Sequence, residues 1–180
     1  MLHSNPRLPS HSVMRTSLTT SLLLIAVLCS HAAQSADLHQ SAPRFSLPQV
    51  NATQSRPVKL SQYAGQVIYL DFWASWCPPC RQSFPFMQSL QTRFAEQGFT
   101  VIGGSVDQEE DELQDFLEQY PVDFPILWDR SHQIVAQYGI AGMPTSLLID
   151  RNGTIQRTHQ GFRKSDQIQI TRWIEQVLQQ

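Results

Sequence analysis

Asp71-Phe72-Trp73-Ala74-Ser75-Trp76-Cys77-Pro78-Pro79-Cys80-Arg81 is the stretch on which the reading of this chain turns. Upstream, Val67-Ile68-Tyr69-Leu70-Asp71-Phe72-Trp73 is a continuous apolar run with one acid, the pattern of a strand buried on both faces. Downstream, helix signals run from Cys77 to about Gln97, with Phe84, Met87, Leu90 and Phe94 on one face. Pro85 lacks a donor and crowds the preceding turn, so it is expected to kink that helix. A buried strand therefore runs into a helix, and Cys77 stands at the junction.

That position has chemical consequences. Free N–H groups and the helix dipole favour negative charge at a helix N-terminus. A cysteine there can titrate well below the free value of about 8.5. The thiolate is the attacking species in disulfide exchange, and a second cysteine three residues on can resolve the mixed disulfide. Pro78 and Pro79 suit the first turn, where a missing N–H costs little, and they stiffen the loop. The pair could instead be half of a zinc site, which needs two more ligands. Beyond residue 36 only His39, His132 and His159 remain as histidines, and none has ligand spacing to the pair.

Outward from the pair, the pattern alternates. Phe45, Leu47 and Val50 suit a short hairpin leading into the domain, and Ser61 to Gly65 a helical turn. Phe99 to Val106 reads as a second buried strand. Leu113, Phe116, Leu117 and Tyr120 form a helical stripe behind the acidic start Glu109-Glu110-Asp111-Glu112, which complements the helix dipole. Phe124 to Trp128 suits a strand, and Ser131 to Tyr138 a helix ended by Gly139. Thr145 to Asp150 and Thr154 to His159 flank Asn152-Gly153, a hairpin turn signal. Ser165 is placed to cap a last helix carrying Ile168, Ile170, Trp173, Ile174 and Val177. The expected fold class is α/β, a mixed central sheet flanked by helices.

The N-terminus differs in kind. Residues 22–29 are apolar but too short for a comfortable membrane span. Arg15 precedes them and the small residues of Ser30 to Ala36 follow, the layout of a secretory signal over residues 1–36, with Met14 as a second possible start. An uncleaved anchor is the alternative; bulky Leu28 before Cys29 argues against a lipoprotein. Export would leave residues 37–180 as one domain with only Cys77 and Cys80. One close pair suits redox work better than scaffolding, which uses several wider bridges. The net charge of −2 gives no reason to expect a nucleic-acid partner or an anionic membrane surface.

The Trp76-Cys77-Pro78-Pro79-Cys80 segment resembles a thioredoxin-superfamily active site, in the form found in the TlpA/ResA-like branch of exported reductases. The resemblance covers residues 42 to 178, including the opening Ala42 to Pro48 and an insert over residues 107 to 130. It implies a thioredoxin fold with an N-terminal hairpin extension. It implies that Asp71 is a buried acid relaying a proton to Cys80, directly or through water. Met143-Pro144-Thr145 matches the loop whose cis proline faces the cysteines, and Gly161 a glycine near the substrate groove. Trp76, Pro78, Pro79, Met143, Pro144 and Thr145 would then contact substrate.

Also implied are disulfide-bearing substrate proteins, a membrane electron donor for re-reduction, a monomeric periplasmic protein, and no cofactor or metal. Two positions depart from the family. Ser83 stands where many ResA-type relatives carry a glutamate, and Gly103 where thioredoxin has a lysine. A dithiol oxidase, a thiolate Cu(I) carrier and an inert structural disulfide remain alternatives. A peroxiredoxin shares the opening but needs a different cysteine setting.

Overall fold

The computed structural model describes residues 39–52 and 57–180. The expected signal, the start at Met14 and Cys29 lie outside the described residues. First comes an antiparallel pair, β1 (Ser46–Pro48) and β2 (Pro57–Lys59), with Leu47 opposite Val58. Both side chains turn inward, so this extension is attached through its apolar positions. A 3-10 turn over Leu60–Tyr63 leads on to β3 (Val67–Trp73).

The remaining elements are α1 (Pro78–Phe94), β4 (Phe99–Ser105), α2 (Glu110–Gln119), β5 (Ile126–Trp128), α3 (Gln133–Gln137), β6 (Thr145–Ile149), β7 (Ile155–Gln160) and α4 (Asp166–Leu178). The five-stranded sheet runs β5-β4-β3-β6-β7. β3 pairs parallel with β4 and antiparallel with β6, so the sheet is mixed, as expected. Every residue of β3 and β4 is buried, which a strand between two others and covered on both faces requires. Successive β3 side chains serve opposite faces. Trp73 packs on Phe84 of α1 and Phe116 of α2, while Phe72 meets Tyr138 beyond α3.

Several boundaries moved for local reasons. β5 starts at Ile126 rather than Phe124, because Pro125 has no N–H for a ladder. α3 is shorter than the stretch Ser131 to Tyr138, because His132 adopts a left-handed conformation (φ 57°). The Asp129 carboxylate caps it from outside, accepting from Ile134 and Val135 N–H at 2.9 and 2.8 Å. Ser165 does not cap α4: its own backbone is already helical and its side chain makes no cap bond. Asp166 Oδ2 instead accepts from Arg163 N at 2.8 Å. Ile168 also departs from expectation and is 65% exposed. Ile170, Ile174 and Val177 are spaced by four and three and form the buried stripe, whereas Ile168 lies two residues from Ile170, on the far side of the helix.

Candidate active site

Cys77 is the N-cap of α1, with an extended backbone, and Pro78 and Pro79 occupy the first helical positions. The two cysteines are joined in a disulfide, with Cα atoms 5.3 Å apart. The Cys80 N–H of the first helical turn is shared between the Cys77 carbonyl, at 3.1 Å, and Cys77 Sγ, at 3.3 Å, so a helix N-terminal donor reaches the first sulfur. Cys77 is 3% exposed and Cys80 fully buried. Pro85 lies inside α1, as expected. Ser83, where a glutamate would stand in relatives, is buried and donates from Oγ to the Cys80 carbonyl at 2.9 Å.

The loop before Cys77 is pinned by a residue that the sequence reading did not single out. Asp107 is fully buried. Its carboxylate accepts from Ser75 N–H, Ser75 Oγ and Ser105 Oγ, the last two at 2.8 and 2.7 Å. Arg81 donates to the Ser75 carbonyl at 3.2 Å. Ser75 is thus held from both sides, and Trp76 beside it is left 61% exposed. Trp76 lines a surface groove with Arg81, Glu112, Asp115 and Gln119.

Asp71 is buried in β3, level with Gly103 of β4 and Ser146 of β6. Its Oδ1 accepts from Ser146 Oγ at 2.6 Å, and Oδ2 has no hydrogen-bond partner. Burial pushes its pKa up from 3.8 to about 7, against the Ser146 hydrogen bond, which favours the ionised form. No lysine fits opposite it without rearrangement. A Cβ on Gly103 would lie 2.8 Å from Ile126 Cδ1 and 3.0 Å from Trp73 Nε1.

The Met143–Pro144 peptide bond is cis. Pro144 is buried and its carbonyl accepts from Gly161 N–H at 2.7 Å; Thr145 Oγ1 donates to the Gly142 carbonyl at 2.7 Å. Gly161 adopts φ +80°, a conformation that favours glycine. Pro79 of the cysteine loop lines a groove with Gly161, Phe162 and His159, and Gly161, through its bond to Pro144, joins that groove to the cis-proline loop. Met143 is half-buried, Pro78 is exposed, and neither lines that groove. Among the described residues, no three His, Cys, Asp or Glu come together as a metal site.

The geometry has close counterparts. Residues 38–158 match the AhpC/TSA family. A thiol-disulfide oxidoreductase ResA from Oceanobacillus iheyensis is 33% identical over 130 residues, 72% of this chain and 68% of the relative. A crystal structure of a candidate thiol:disulfide interchange protein DsbE from Chlorobium tepidum is 43% identical. It superposes with a TM-score of 0.76, covering 80% of this chain and 99% of that one. A thiol:disulfide interchange protein of the thioredoxin family from the same organism is 28% identical, with a TM-score of 0.68 over 79% of this chain and 98% of that one. The chain belongs to the AhpC/TSA family and, within it, to the thiol-disulfide oxidoreductases of the ResA type.

Proposed function

We propose that this enzyme reduces disulfides of exported proteins. The observation that carries the reading is the Cys77–Cys80 pair at the start of α1, in a loop whose Pro79 shares a groove with Gly161, the residue bonded to the cis Pro144. In the reduced enzyme, Cys77 thiolate attacks one sulfur of a substrate disulfide. The substrate S–S bond breaks, a mixed disulfide forms, and the departing substrate thiolate takes a proton from solvent. Cys80 then gives its proton to Asp71 and attacks Cys77 Sγ. The mixed disulfide breaks, the Cys77–Cys80 bond forms, and the second substrate thiolate leaves and is protonated. Two electrons pass to the substrate, and the oxidised pair is the state in the structure. A carboxyl with a pKa of about 7 is matched to taking a proton from a thiol and returning it.

Trp76, Pro78, Pro79, Met143, Pro144 and Thr145 hold the substrate, its backbone extended along the cis-proline loop as an added strand. Residues 1–36 direct export to the periplasm, and residues 37–180 are the working domain, active as a monomer. A membrane electron donor returns the pair to the dithiol. Among the described residues no helix is long and apolar enough to cross a membrane.

The test is a Cys80→Ala variant expressed in cells. It should hold substrates as mixed disulfides on Cys77, identifiable after non-reducing electrophoresis, and Cys77→Ser should hold none. Failure to capture any partner counts against the scheme. The reduction potential decides direction: a value near that of thioredoxin, about −270 mV, supports a reductase, and one near −120 mV identifies an oxidase.

A further inference from the structure

Three polar side chains form a hydrogen-bonded chain inside the core, of which the mechanism above uses only the last. The Tyr69 hydroxyl donates to Ser146 Oγ at 2.8 Å, and Ser146 Oγ donates to Asp71 Oδ1 at 2.6 Å. Tyr69, Ser146 and Asp71 are 4%, 4% and 1% exposed. The sheet dictates the placement. Tyr69 and Asp71 are two apart on β3 and share a face, and Ser146 lies directly across from Asp71 on β6. Buried hydroxyls are costly unless paired, and this chain pairs both of them.

We propose that Tyr69 and Ser146 are positioning residues for Asp71: they anchor Oδ1 and reserve the unpartnered Oδ2 for the proton that Cys80 releases. The proposal rests on the reading of Asp71 as proton acceptor. The chain is compatible with both protonation states. When Oδ2 carries the proton, Oδ1 is the carbonyl oxygen of the acid and still accepts from Ser146. Nothing in the core then has to rearrange during transfer. Burial raises the Tyr69 phenol far above its ordinary value, so it stays a donor at any working pH. The hydrogen bond from Ser146 favours the carboxylate and offsets part of the burial penalty.

The other groups around this chain are few. β4 offers Gly103, which has no side chain, opposite Asp71. β7 places His159 across from Ser146, and His159 pairs with Asp166 at the start of α4, 3.3 Å away. Asp166 in turn acts on Tyr69. On α1, Ser83 is bonded to the Cys80 carbonyl.

The test is a 13C titration of the Asp71 carboxyl in the reduced full-length protein. Ser146→Ala should raise its midpoint by about one unit, Tyr69→Phe should raise it by less, and Ser146→Thr should restore it. From a starting midpoint of about 7, a one-unit rise lowers the ionised fraction at pH 7 from about one half to about one eleventh. The step in which Cys80 releases substrate should therefore slow about five-fold at pH 7, while attack by Cys77 is unaffected. The pH limb of release should follow the carboxyl midpoint, and His159→Gln should leave that midpoint in place. An Asp71 midpoint indifferent to Ser146→Ala overturns the proposal, as does one that moves as far in His159→Gln. A midpoint that moves while release keeps its pH profile also overturns it, in that case by removing Asp71 from the proton transfer on which it rests.

Discussion

Replacing Asp71 with asparagine should stabilise the oxidised protein at pH 8 relative to its effect at pH 4. In the folded state burial raises this carboxyl from 3.8 to about 7. Between those values the folded protein holds a proton that the unfolded chain has lost. Stability therefore falls as pH rises through this window: the contribution of Asp71 is fully present below about pH 4 and gone above about pH 7. At about 1.36 kcal/mol per unit, the rise amounts to a penalty on the order of 4 kcal/mol at pH 8. Asparagine matches the neutral acid in shape, and either side chain leaves a polar N–H or O–H at the unpartnered Oδ2 position, so that cost cancels. Urea unfolding of wild type and Asp71→Asn at each pH from 4 to 8 removes the titration of all other groups by subtraction. The difference should grow in favour of the variant by several kcal/mol and level off near pH 7. A flat difference, or one that favours the wild type as pH rises, would refute the claim that burial dominates at this carboxyl.

Two further substitutions test the frame around the site. Asp107→Ala leaves the buried Ser75 N–H and the Ser75 and Ser105 hydroxyls without their acceptor, and should cost about 2–4 kcal/mol. Hydrogen exchange should show the Ser75 amide losing protection; unchanged protection would mean that Asp107 does not hold this loop. Gly103→Ala should cost about 1–3 kcal/mol in urea unfolding, because Ile126 and Trp73, which its Cβ would crowd, are fully buried with little room to yield. Wild-type stability in that variant would show that the sheet opens at this point without strain.

Local sequence suffices for the strand Val67–Trp73, the helix that starts behind Cys77, the cysteine pair and the hairpin at Asn152-Gly153. These rest on local signals: unbroken apolar runs, side-chain periodicity, and prolines and glycines at turns. The resemblance placed the cis proline and the buried acid. Where reading failed, a local rule met a tertiary neighbour. Ser165 has the chemistry of a cap, but the chain enters α4 already helical. Ile168 was counted by composition, whereas burial follows angular position on the helix. Tyr69, Ser146 and Asp107 passed as ordinary strand or loop residues, and only a polar residue within a buried run hinted at more. Their roles depend on register: Ser146 comes opposite Asp71 across 75 residues of chain, and Asp107 reaches Ser75 across 32. Strand pairing sets such contacts, and it is a property of the assembled sheet that no local pattern encodes.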